Sequence, residues 1–133
     1  MNEKINATFT LSSFYASDVR FQVKKHGDSS LVNDLSFSLD TAIDKVEGNN
    51  NQFKISYKIG LKNIGETLIL SADYHAIFIT NSPITDELLS SSLIKINACA
   101  IGFPYLRSFI SQLSVNAGIP AIILPTINFT KVG

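Results

Sequence analysis

Cysteine is almost absent from this sequence. The single one, Cys99, permits no internal disulfide and no multi-cysteine zinc site. An excess of charge is absent as well: 11 basic and 11 acidic side chains cancel, and neither sign forms a long run. That balance argues against a nucleic-acid module, which needs a clustered basic face. No uninterrupted apolar run approaches the ~18–20 residues of a membrane span. The start, Met1-Asn2-Glu3-Lys4-Ile5-Asn6, lacks the apolar centre of a signal peptide. Repeats, low-complexity tracts and internal domain boundaries are missing too. With 45% apolar and 17% charged residues the chain is not disordered. The expectation is one soluble, cytoplasmic domain over residues 1–133, with no nucleic acid and no membrane span.

Catalytic spacings are also lacking. There is no H-E-x-x-H, G-x-S-x-G, P-loop or G-x-G-x-x-G pattern, and no cofactor is implied. His26 sits in a polar loop and reads as solvated. His75 lies two residues from Asp73 on one strand face. That pair reads either as a base with its orienter or as an exposed polar pair, and no nucleophile stands beside it in the sequence. Cys99, between Ala98 and Ala100, reads as a small buried residue. Arg107 is the one charge in an apolar-aromatic stretch; it pairs with a backbone carbonyl or a partner helix, or is a plain surface arginine.

What is present is alternation. Phe9/Leu11 and Val19/Phe21/Val23 have period two, which predicts strand, either two pieces or one strand bent around Ser13–Ser17. Leu35, Phe37 and Leu39 alternate likewise. The pattern then breaks past Thr41 at Ala42, Ile43 and Val46, which predicts a bulge. Glu47-Gly48-Asn49-Asn50-Asn51-Gln52 is a hairpin connection, and Phe53 to Leu61 is the cleanest strand. After the turn at Asn63-Ile64-Gly65-Glu66 comes Leu68 to Phe78, apolar on both faces at its end, which suggests a central place or a second contact surface. The period then lengthens. Ser82 or Thr85 can cap a helix with Asp86 and Glu87 in its first turn. Asn97–Gly102 reads as an interruption. A helix follows with Phe103, Leu106, Phe109, Ile110 and Leu113 as its stripe, Pro104 in its first turn and Gly118 past its end. Strands first and helices last predict an α+β fold: a four-stranded antiparallel β-sheet with helices on one face.

The tail is the anomaly. Ile119, Ile122, Ile123, Leu124, Ile127 and Phe129 crowd a segment that Pro120 and Pro125 keep from regular structure. Core packing accounts for some of them, and a partner surface for others.

At these residues the chain resembles the SecB and SecB-like export chaperones. Phe9-x-Leu11-x-x-x-Tyr15-x-x-Asp18-Val19-x-Phe21 resembles the family's opening strand. Leu35-Ser36-Phe37-Ser38-Leu39-Asp40-Thr41 and Phe53–Leu61 resemble its next two. Phe103-Pro104-Tyr105-x-Arg107 is similar to its helix motif, and Gly118-x-Pro120 with Leu124-x-x-Ile127-Asn128-Phe129 to its helix-connecting loop. The resemblance implies an ATP-independent holdase, dimeric through edge strands and tetrameric through long helices, that holds unfolded polypeptide in hydrophobic grooves. Carried over residue by residue, client contact falls to Tyr105, Phe109, Ile119, Ile122, Leu124 and Ile127. Leu106, Ile110 and Leu113 would divide between core and oligomer interface, and Asp18 matches an acid facing the motor SecA.

Three departures bear on the partner. The family's second helix and zinc-binding tail have no counterpart here. Gln22 and Ser71 stand where other members carry glutamate. Lys54, Lys58 and Lys62 put positive charge on one strand face. Export therefore competes with a second expectation, a dedicated chaperone of a toxin–antitoxin module that holds an aggregation-prone antitoxin. Alternatives of another class are a small enzyme using Asp73 and His75, and a purely structural subunit.

Overall fold

Alternating apolar residues need a sheet with one face covered, and the chain builds one. The computed structural model describes residues 8–28 and 30–130, so the reading of Met1–Asn6 lies outside the described residues. The strands are β1 (Phe9–Val23), β2 (Ser36–Lys45), β3 (Gln52–Lys62) and β4 (Leu68–Thr80). All neighbours are antiparallel, in the order β1-β4-β3-β2. Central β3 and β4 bury every inward side chain from Phe53 to Leu61 and from Leu68 to Phe78. The edges are less covered: Phe37, Leu39 and Ile43 of β2 are half-buried, and Val19 of β1 is exposed. The two-sided apolar end of β4 thus fits its central place. Residues 24–35 carry the chain from one edge to the other, with Leu31 plugging the end of the core.

β1 is one strand, and the Ser13–Ser17 bend is two bulges. The pairing slips between Leu11 and Ser13 and again between Ala16 and Asp18. One extra residue at each slip re-aims the side chains that follow. The bulge expected in β2 is absent, since its ladder with β3 runs unbroken from Ser36 opposite Lys62 to Lys45 opposite Phe53. Ala42 is small enough to stand on the open face, and Val46 lies beyond the strand. At the β3–β4 turn the Asn63 side chain replaces missing ladder bonds. Its Oδ1 accepts from the Thr67 and Leu68 amides, and its Nδ2 donates to the Leu31 carbonyl.

The short helix α1 (Asp86–Leu89) is capped by the Thr85 hydroxyl, which accepts from the Leu88 amide at 3.1 Å. A π-helical run, Leu93–Ala98, then leads directly into α2 (Cys99–Asn116). The expected interruption at Asn97–Gly102 is therefore not there. Ala98, Cys99 and Gly102 are buried because small residues let the helix sit close on the sheet. A Cβ on Gly102 would collide with the Tyr57 hydroxyl, which donates to the Cys99 carbonyl at 2.7 Å. Pro104 consequently lies inside the helix rather than in its first turn. Its missing N–H deprives the Ala100 carbonyl of its usual donor. Both residues are exposed, so water can serve that carbonyl.

Candidate functional site

Helix α2 ends where glycine predicts. Gly118 has φ +83°, its amide donates to the Val115 carbonyl, and the Ile119 amide donates to the Ser114 carbonyl. These two bonds form a Schellman motif, which turns the chain back on itself. The segment after it runs antiparallel to α2. The Arg107 Nε donates to the Leu124 carbonyl at 3.1 Å, and the ring of Phe129 meets that of Phe103 edge-on at 5.6 Å. Of the roles open to Arg107, the backbone carbonyl of its own chain is the one occupied.

This returning segment stops short of the β2 edge and leaves an open cavity of about 490 Å³. Val32, Leu35, Phe37 and Leu61 form one wall, and residues 121–125 form the other. Ile122 and Leu124 are 1% and 2% exposed, so they serve as the floor, while Ile123 stands 70% exposed at the rim. Ile119 is buried and Ile127 half-buried in the same segment. Tyr105 and Phe109 lie elsewhere, on the β1 side of α2. Tyr105 packs on Phe14 with ring centroids at 4.7 Å, and Phe109 stacks on Tyr74 at 5.4 Å. The six residues read from the sequence thus fall on two flanks of one helix.

Leu106 and Ile110 are fully buried within the core, and Leu113 is half-buried. The large exposed apolar residues of α2 are Ile101, Tyr105 and Val115. The sequence reading missed Val32, Leu35, Phe37 and Leu61 as cavity residues. Their alternation was visible, but only the strand order shows that β2 is an edge with an uncovered inner face.

The polar candidates sit on the opposite face. His75 has hydroxyl neighbours that sequence order conceals: Ser17 Oγ at 2.6 Å from Nε2 and Ser56 Oγ at 2.8 Å from Nδ1, with the Tyr15 ring stacked at 4.7 Å. Burial lowers the histidine below its ordinary value of 6.5, and the Lys54 charge adds to that, against an opposing pull from Asp73. Asp73 makes no hydrogen bond to the ring; it stands in register with Asp18 and Lys58. The bridge ties β1, β4 and β3 together across the sheet. Asp18 is exposed, 3.8 Å from Arg20. Burial pushes the Cys99 thiol up to about 11, which leaves it unreactive. Among the described residues no His/Cys/Asp/Glu group is arranged to hold a metal. No helix among them is long and apolar enough to cross a membrane.

Comparison with known proteins fits this geometry. A chain of similar fold is the SecB-like chaperone Rv1957 of Mycobacterium tuberculosis, solved with a ChAD peptide from the HigA1 antitoxin Rv1956. It superposes with a TM-score of 0.71 at 14% identity, over 90% of this chain and 89% of that one. A Streptococcus agalactiae protein of unknown function superposes with a TM-score of 0.52 at 7% identity, over 91% of this chain and 99% of that one. In sequence, the uncharacterized protein MJ0357 of Methanocaldococcus jannaschii is 33% identical over 98 residues, 71% of this chain and 62% of that protein's length. The family described as preprotein translocase subunit SecB matches residues 2–132, and the chain belongs to that family.

Proposed function

We propose that this chain is an ATP-independent, cytoplasmic holdase, which keeps non-native polypeptide extended in the cavity between residues 121–125 and the inner face of β2. The observation that carries the reading is the cavity itself, which sets apolar side chains on both walls, with Asp34 beside Leu35 on one of them, and opens to solvent in a member of the SecB family. Pro120 and Pro125 stiffen one wall, so less ordering is needed when a client arrives. Client contact falls to Leu35, Phe37 and Ile123, over a floor of Ile122 and Leu124, with Ile119 and Ile127 shaping the ends. Tyr105 and Phe109 extend the path along the other flank of α2. No catalytic role is assigned to Asp73 or His75.

The working unit is a homodimer or homotetramer. Leu113 joins Ile101 and Val115 in the helix contact, without Leu106 and Ile110. Client holding does not depend on SecA: Asp18 shares its surface with Arg20, and the accompanying positions are Gln22 and Ser71.

The test is suppression of aggregation of a chemically denatured client. Ile123→Asp changes the exposed rim and Phe37→Ser the half-buried wall, and suppression should be lost in both, with the thermal melt of Ile123→Asp preserved. Retained suppression in both variants would remove the cavity from the mechanism. A second reading, a dedicated antitoxin client, is favoured by the structural neighbour solved with an antitoxin peptide. Titration with an antitoxin C-terminal peptide against a denatured precursor separates the two. Tight binding of the former alone assigns the dedicated role.

A further inference from the structure

Holding a client gives no part to the middle row of the sheet face turned away from α2. There Tyr15, His75, Ser56 and Ala42 lie opposite one another across the four strands. The second bulge of β1 adds a serine to this row. Pairing passes from Ala16 opposite Tyr74 to Asp18 opposite Asp73, so Ser17 is the extra residue. An extra residue has no place in the ladder, and the bulge re-aims its side chain. Ser17, which is exposed, brings its Oγ to 2.6 Å from His75 Nε2. Ser56, half-buried, brings its Oγ to 2.8 Å from Nδ1. The Tyr15 ring stacks on the imidazole at 4.7 Å and hinders its turning.

A neutral imidazole carries one N–H. The contact to Ser17 is the shorter of the two, in the range of a hydroxyl donor. Ser17 therefore donates to Nε2, and Nδ1–H donates to Ser56. A hydroxyl beside a base that a third group orients is the arrangement of an activated nucleophile. Burial first, and then Lys54, favour the neutral ring against the pull of Asp73. The other charged groups of the neighbouring rows are Asp18 on β1, Lys58 on β3, and Asp40 and Asp44 on β2. Both signs surround the ring, so the site selects neither anion nor cation.

We propose that Ser17 is an acylation site, whose hydroxyl takes the acyl group of an uncharged, activated carboxylic ester. Ser17 Oγ bonds to the carbonyl carbon as its proton passes to His75 Nε2. The bond from that carbon to the leaving oxygen then breaks, and His75 returns the proton to the departing alcohol. The products are an ester on Ser17 and a free alcohol, a modification of the chain and not a turnover reaction. The apolar part of the donor rests on Tyr15, 46% exposed, and on Ile77, two residues from His75 on the same face.

The probe is p-nitrophenyl acetate, read by nitrophenolate release and by peptide mapping of the full chain in a mass spectrometer. Acetyl should be found on Ser17. Ser17→Ala should lose it, with aggregation suppression unchanged, so this proposal and the client-holding reading fail separately. His75→Gln should slow acylation about a hundredfold. Ser56→Ala should slow it less, with recovery in Ser56→Thr. In the natural chain the rate should rise with pH and level off once His75 is neutral, below its ordinary 6.5. In His75→Gln it should go on rising with hydroxide. Acetyl on lysines or Tyr15 with Ser17 unmodified overturns the proposal, as does an equal rate in His75→Gln. So does a rate in the natural chain that never levels off, a criterion that holds even where the variant fails to fold.

Discussion

Arg107 shows how one side chain can hold a wall in place. Its Nε bond to the Leu124 carbonyl is the one side-chain hydrogen bond among the described residues between α2 and the returning segment. Apolar contacts secure the segment's depth, and this bond, with the Phe103–Phe129 ring contact, fixes its position along the helix. Arg107→Ala should cost about 1–2 kcal/mol of stability, as for a charged donor lost from a partly buried bond. Amide exchange should quicken in residues 119–129 and stay unchanged in β3 and β4. Uniform acceleration across the sheet would mean that Arg107 acts through the whole core instead. His75 makes a different residue-scale prediction. Desolvation first, and then Lys54, favour its neutral form in the folded chain. A lowered value stabilises above the ordinary 6.5 and loses that contribution as pH falls through the folded value. The melting-temperature advantage of the natural chain over His75→Gln should therefore be full at neutral pH and shrink in acid. Aggregation suppression should be the same in both. An advantage that grows in acid would contradict the assignment.

At the scale of elements, alternation was read correctly in the two central strands, which keep one covered face along their whole length. The clean run of Phe53–Leu61 and the central place of β4 are of that kind. Errors came where a small residue has two meanings. Ala98, Cys99 and Gly102 resemble a break in a helix when only neighbours in sequence are considered. In space they are the flat patch on which α2 approaches Tyr57 and Ala76. The serines of β1 left two pieces and one bent strand both open, and only the pairing with β4 shows one strand with two bulges. Gly118 was legible from its position alone, because the end of a helix needs a residue that tolerates positive φ. It also sets the direction of residues 119–129. Gly118→Ala should cost about 1 kcal/mol, read as a lower urea midpoint with unchanged slope. A fully stable variant would show that the turn is imposed by Ile119 and Ile122 packing rather than by the glycine.

For the molecule as a whole, the two sheet edges are unlike, and sequence order hides this because β1 and β2 are neighbours in the chain but opposite in the sheet. That is why β2 residues such as Phe37 were not read as cavity wall, and why Tyr105 and Phe109 were grouped with a segment on the other flank of their helix. The β1 edge is 15 residues long and carries Phe14, 48% exposed, with Val19 and Tyr105 also exposed beside it. A long edge strand bordered by exposed aromatics is a liability in a monomer unless it is paired. Pairing β1 with its counterpart in a second subunit would satisfy its outer backbone groups and cover Phe14 and Tyr105 together. The β2 edge would remain free beside the client cavity. Phe14→Asp should therefore lower the mass measured by analytical ultracentrifugation by half or more at micromolar concentration, with β-sheet circular dichroism retained. Thr41→Asp, on the β2 edge, should leave the mass unchanged. If the two substitutions act the other way round, subunits pair through β2, and the cavity proposed for clients would be closed by assembly.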